Sequence, residues 1–365
     1  MPEPILCIAG ARPNFTKIAP IMEALKASKR LCPVLVHTGQ HYDRRMSDLF
    51  FQQLNIPDPD VNLGVGSGTH AAQTAAIMSA FEPVVLKYRP AAVLVVGDVN
   101  STIACSLVAA KLCVRVVHVE AGLRSFDRTM PEEINRVLTD AISDFLFCTE
   151  QAGVQNLRRE GVAPEKIFLV GNVMIDTLLG NLEKAQGSTI LQELRLEPHR
   201  YAVLTLHRPS NVEDPEALKG LLSAIEAIQR DTAVVFPVHP RTRKNLATWG
   251  LDQLLQGLPN VRLTEPAGYL DFLKLLSCAR AVLTDSGGIQ EETTILKVPC
   301  LTLRQNTERP VTVEMGSNRI VGTDPKNILA AWSDLVKGLF PVPQIPPLWD
   351  GKAARRIADI LDEKL

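Results

Sequence analysis

Short β-branched apolar runs alternate with longer amphipathic stretches along nearly the whole chain, and this rhythm restricts the fold more than any other feature. Ile5–Ala9, Val34–His37, Val93–Val96, Val114–Val119, Phe145–Cys148 and Phe168–Val170 read as strands buried on both faces, several ending at Gly, Glu or Thr. Between them lie helical patterns such as Asn14–Ala27, Ala71–Lys87, Thr102–Leu112 and Glu132–Ile142. Strand, helix, strand in this order calls for a mostly parallel sheet with helices on both faces.

The rhythm restarts at Tyr201–Leu206 and continues through Ala233–Val238, Val261–Thr264, Ala281–Thr284 and Cys300–Leu303, with helical patterns at Pro215–Arg230, Tyr269–Ala279 and Gly287–Leu296. At about 150 residues per domain, 365 residues also suggest two domains. The fold class is therefore α/β, with two Rossmann-like domains facing a cleft. Residues 1–171 form the first and 172–350 the second, with a polar helical hinge over Asn172–His199. Pro341–Pro347 carries four prolines and is extended; residues 351–365 form a terminal helix expected to brace both halves.

Several functional classes fall away. Net charge is −1, from 39 Lys and Arg against 40 Asp and Glu, so no basic excess suits a nucleic acid. Seven scattered cysteines form no CxxC pair and fit buried thiols in a reducing cytoplasm. Nothing approaches the ~18 apolar residues of a membrane span, and the N-terminus has no signal-peptide pattern. A soluble cytoplasmic protein is expected. The first strand ends in Gly10-Ala11-Arg12-Pro13 rather than GxGxxG, and no GxxxxGK[ST] occurs. His37 and His41 stand four apart, but Gly39 breaks the helix that would align them on a metal. No cofactor and no metal are expected.

In open α/β sheets ligands bind beyond the carboxyl ends of the strands, so strand-end residues carry the weight. Arg12 and Lys17, after the first strand, suit a diphosphate beside a helix N-terminus. Asp98 follows Gly97 and reads equally as a helix N-cap. Glu120 ends a buried strand with no helix to cap, where an unpaired carboxylate is costly. Glu132 and Glu133 open a helix, where acids also complement the dipole. Together these acids and cations suggest acid/base work on a charged substrate. In the second half, Asp285-Ser286-Gly287-Gly288 opens a helix with small residues that let backbone N–H groups approach an anion, and His207-Arg208 ends a strand.

Six segments together resemble the non-hydrolysing UDP-N-acetylglucosamine 2-epimerase family. They are Gly10-Ala11-Arg12-Pro13, Gly97-Asp98, His118 to Arg124, Pro131 to Arg136, Asp285 to Glu292 and Thr307 to Pro310. The resemblance implies a glycosyltransferase-B type fold and inversion at C2 of a UDP-sugar, by elimination and re-addition of UDP, for surface polysaccharide synthesis. By the same resemblance Lys17, Asp98, Glu120, Glu132 and His207 are catalytic. Arg12, Arg136, Phe272, Ser286, Gly287, Gly288 and Glu292 hold the substrate, with Glu292 meeting the ribose and Phe272 the uracil. The expected partners are a UDP-sugar and a second copy of the chain.

The chain departs from many members at Thr38–Asp43, at Pro209-Ser210-Asn211 and at Val311-Thr312, positions linked in those members to a second, activating UDP-GlcNAc. The forms at Thr38–Asp43 and Asn62–His70 look more like a branch that includes epimerases of UDP-diacetamido uronic acids. Alternatives are therefore the same inversion on such a uronic acid, or a glycosyltransferase of the same fold.

Overall fold

A computed structural model describes residues 2–39 and 58–365, apart from the side chains of Arg12 and Pro13. The chain divides into two compact units, 1–180 with 347–365, and 181–346.

In the first unit seven parallel strands run in the order β3-β2-β1-β4-β5-β6-β7. They are β1 (Glu3–Ala9), β2 (Leu31–His37), β3 (Val61–Asn62), β4 (Ala92–Val96), β5 (Arg115–Val119), β6 (Phe145–Cys148) and β7 (Ile167–Leu169). The second unit repeats the pattern with six parallel strands ordered β10-β9-β8-β11-β12-β13. These are β8 (Tyr201–Thr205), β9 (Ala233–Pro237), β10 (Val261–Thr264), β11 (Ala281–Thr284), β12 (Cys300–Thr302) and β13 (Asn318–Ile320). Both are Rossmann-type orders, with the reversal at β1/β4 and at β8/β11, where such sheets bind ligands.

Alternation along each strand divides the core between two faces. On β8, Ala202 and Leu204 join a cluster with Leu221, Ile225 and Trp332, while Tyr201 and Val203 join one with Leu275, Leu276 and Val282. In the first unit Leu6, Ile8, Val93 and Val95 pack on Ile77 and Phe81 of the helix His70–Tyr88. Register fixes what leaves the sheet together. Val96 of β4 lies abreast of Val119 of β5, so Gly97-Asp98 and Glu120 emerge side by side. Likewise Thr205 and Thr284 are paired, bringing His207 and Asp285 out together.

The sequence reading did not single out the edge strands β3 and β13, which are two and three residues long and carry little periodicity. It also passed over the helices Gln151–Arg159, Pro240–Thr248 and Pro325–Val336. Cys7, Cys105, Cys148 and Cys300 are buried, Cys278 is half-buried, and Cys32 and Cys113 are exposed. Among the described residues no helix is long and apolar enough to cross a membrane.

The C-terminal segment returns to the first unit. Trp349 is fully buried and donates its indole N–H to the Thr149 carbonyl at 3.0 Å. The Asp176 carboxylate accepts the N–H groups of Ala353 (3.2 Å) and Ala354 (2.8 Å), two donors that open the terminal helix Ala353–Lys364. That helix buries Ile357 and Leu361 and packs on the helix Arg12–Lys26. Trp349→Ala removes a buried aromatic and a hydrogen bond together; a stability loss of about 3–5 kcal/mol is expected in urea denaturation.

Candidate active site

In the first unit the acid that ends β5 has the partner its burial demands. Glu120 is buried and sits in the left-handed region, at φ 72°, with its N–H donated to the Phe147 carbonyl at 3.0 Å. Lys17, just over one turn into the helix Arg12–Lys26, donates to Glu120 Oε2 at 2.5 Å. Gly97 has φ of 71°, a left-handed turn that favours glycine; a Cβ there would lie in ordinary contact, 3.4 Å from Glu120 Oε2 and 3.7 Å from Lys17 Nζ.

Asp98 is not a helix cap: Val99 occupies the cap position of the helix Asn100–Lys111. Its carboxylate, one-third exposed at 33%, instead accepts from Arg136 Nη2, and its backbone carbonyl accepts from Asn135 Nδ2 at 2.9 Å. Arg136 is buried between Asp98 and Glu133. Glu133 also accepts from the Ser125 N–H, the Ser125 hydroxyl and the Phe126 N–H, each at 2.9 Å. Burial works against its charge, but these donors and Arg136 outweigh that and hold the carboxyl below its usual range. Of the adjacent acids, Glu133 is therefore the loop anchor, and Glu132 stands half-buried beside it. Arg12 opens its helix at the β1 end. Of the Thr38–Asp43 segment, Gln40–Asp43 lie outside the described residues.

In the second unit Asp285 turns inward. Fully buried, it accepts the N–H groups of His207 and Arg208, both at 2.9 Å, and faces His207 Nδ1 at 2.8 Å. Burial raises the cost of its charge, yet His207 and the backbone donors hold its carboxyl below the usual range. Asp285 thus fixes the turn that carries His207, whose side chain stays 39% exposed. Ser286 takes the N-cap position of the helix Gly287–Leu296 without a capping bond from its hydroxyl, and Ser286, Gly287 and Gly288 are half-buried. Phe272 is half-buried against Leu275, Leu276 and Ile289.

The sequence reading gave no role to Arg304, Glu308 or Glu291. Glu308 lies 2.9 Å from Arg304 Nη1 and 3.3 Å from Arg208 Nη2, and a Cβ on Gly287 would meet its Oε1 at 3.5 Å. Glu291 pairs with Arg309 Nε at 2.7 Å. Glu292 is the exception: burial, reinforced by Glu291, pushes its carboxyl up to about 8, against a hydrogen bond from Tyr269. The folded chain keeps that proton up to about 8 while the unfolded chain releases it near ~4.3, so stability falls as pH rises across this window and levels off above it. Urea midpoints measured from pH 5 to 9 should decline less steeply in Glu292→Gln than in the natural protein; parallel declines would disprove the assignment.

The model of the UDP-N-acetylglucosamine 2-epimerase family matches residues 23–362. The UDP-N-acetylglucosamine 2-epimerase of Methanocaldococcus jannaschii is 45% identical over 359 residues, 97% of each chain. The UDP-2,3-diacetamido-2,3-dideoxy-D-glucuronate 2-epimerase of Pseudomonas aeruginosa is 41% identical over 98% of this chain and 99% of its own. A crystal structure of the M. jannaschii enzyme with UDP-GlcNAc and UDP superposes with a TM-score of 0.92 at 44% identity, covering 99% of both chains. The fold is of the glycosyltransferase-B type, and the chain belongs to the UDP-N-acetylglucosamine 2-epimerase family.

Proposed function

We propose that the protein interconverts UDP-N-acetylglucosamine and UDP-N-acetylmannosamine by inverting C2. The observation that carries this reading is the pair of acids, Glu120 on Lys17 and Asp98 on Arg136, leaving adjacent strands at the carboxyl edge of the first sheet. The C2 hydrogen is not beside a carbonyl, so direct deprotonation is prohibitively slow. Elimination avoids that barrier: a base takes the C2 proton as the C1–O bond to UDP breaks, leaving a glycal. UDP then returns to C1 while C2 is protonated on the opposite face. Two faces require two differently placed acid/base groups, and Asp98, Glu120 and Glu132 are the candidates.

The second unit supplies the grip on the leaving group. Ser286, Gly287 and Gly288 offer backbone N–H groups at a helix N-terminus, suited to the charge that develops on the departing diphosphate. His207, oriented by Asp285, Phe272 beneath the base and Glu292 at the ribose complete that role. The same reading has the enzyme work as a cytoplasmic homodimer that feeds surface polysaccharide synthesis. A uronic-acid sugar is the second reading, favoured by the 41% identity to the Pseudomonas enzyme.

Proton NMR of UDP-GlcNAc with the protein in D2O should show UDP-ManNAc carrying deuterium at C2. Product retaining the original hydrogen would rule out elimination. Turnover of the diacetamido uronic acid alone would select the second reading. Asp98→Asn should lower kcat by roughly 10²-fold or more while UDP binding, measured by calorimetry, is largely kept.

A further inference from the structure

Behind the two acid-bearing turns lies a buried pair with no place in the chemistry above. His118, on β5, is completely buried. Its Nδ1 lies 2.6 Å from Asp140 Oδ1 and its Nε2 lies 2.9 Å from the Gly97 carbonyl oxygen. The second Asp140 oxygen accepts the Gly122 N–H at 3.0 Å and faces Arg124 Nη1 at 2.7 Å. A carbonyl oxygen only accepts, and so does an ionised carboxylate. Burial opposes the charge on Asp140, but His118 and Arg124 outweigh it and hold the carboxyl below its usual range. Both ring nitrogens therefore face acceptors, and the one that faces the Gly97 carbonyl holds it only as an N–H donor.

The Gly97 carbonyl belongs to the peptide unit that joins Gly97 to Asp98, so the bond from His118 fixes the plane from which Asp98 extends. Gly97 N–H is held in turn by the Val119 carbonyl at 3.1 Å. On the other side, the Asp140 bond to Gly122 N–H pins the turn that begins at Glu120, where Glu120 and Gly122 have φ of 72° and 78°. One buried histidine–aspartate pair thus sets the backbone of both turns.

We infer that His118 is a positioning residue: braced by Asp140, its Nε2–H fixes the Gly97–Asp98 peptide and so aims the Asp98 carboxylate. It touches neither acid. Its effect passes through backbone geometry, where a displacement of about 1 Å can cost ~10²-fold in rate. The kinetic side rests on the epimerase reading; the bond to Gly97 does not.

The experiment has a spectroscopic and a kinetic arm. In the ¹⁵N-histidine-labelled natural protein, Nε2 of His118 should show one-bond coupling to a proton. A bare Nε2 would overturn the inference, whatever the enzyme's activity. His118→Gln carries an amide nitrogen near the Nε2 position and can still hold Gly97. His118→Asn is too short for that and keeps only the Asp140 side. We expect kcat of His118→Asn to fall about ten-fold or more below that of His118→Gln, with each KM within about three-fold of the natural value. Equal losses, the reverse order, or losses confined to KM would overturn it. If neither variant folds, the coupling measurement decides. Absence of epimerisation in the natural protein, with the Nε2 coupling present, would count against the activity and leave the pair standing.

Discussion

A carboxylate placed at the end of a fully buried parallel strand must find a cation, and the Lys17–Glu120 ion pair meets that requirement here. Removing one member of such a pair leaves an uncompensated buried charge, at a cost of several kcal/mol. The pair sits beside a left-handed glycine turn at position 97, and it goes with a helix that starts directly after β1, so that Lys17 reaches back, and with a left-handed backbone at Glu120. A non-glycine residue in that region carries a cost of order 1–2 kcal/mol, tolerated where surrounding contacts over-determine the conformation.

The two units answer the same problem in the same way. Each uses a buried aspartate to hold backbone and a histidine: Asp140 takes the Gly122 N–H and His118, and Asp285 takes the N–H groups of His207 and Arg208 and the His207 ring. The pairs differ in exposure. His118 is sealed, whereas His207 presents its other edge outward. One aspartate therefore holds scaffold, and the other aims a side chain that a ligand can reach.

Much of this was legible in the residues. Strands such as Phe145–Cys148 and Ala281–Thr284 are almost wholly apolar and stand out within a residue of their true limits. The acids at strand ends followed from the rule that ligands gather there, and Glu120 from the cost of its burial. Asp98 showed the limit: local sequence offers capping as readily as catalysis, and only Arg136, 38 residues away, separates the two. Asp140 was illegible for the same reason, since its partners lie 18 and 22 positions back on other elements. The units divide at Gly180, inside the helix Val173–Gln186 and within the polar stretch 172–199. Pairings across sequence are invisible to periodicity, whereas burial faces are not.

The return of residues 347–365 to the first unit makes that unit discontinuous in sequence while the second is one uninterrupted stretch, 181–346. During synthesis the second unit can emerge whole and close on its own contacts. The first cannot, although its strands leave the ribosome earlier, because Trp349 and the helix Ala353–Lys364 that complete its core are translated after the second unit. Its nascent sheet has to persist without that cover, or be shielded by other means, for as long as the intervening chain takes to be made. Contacts closed over so long a span are intrinsically slow to form, so the order of maturation runs against the order of translation.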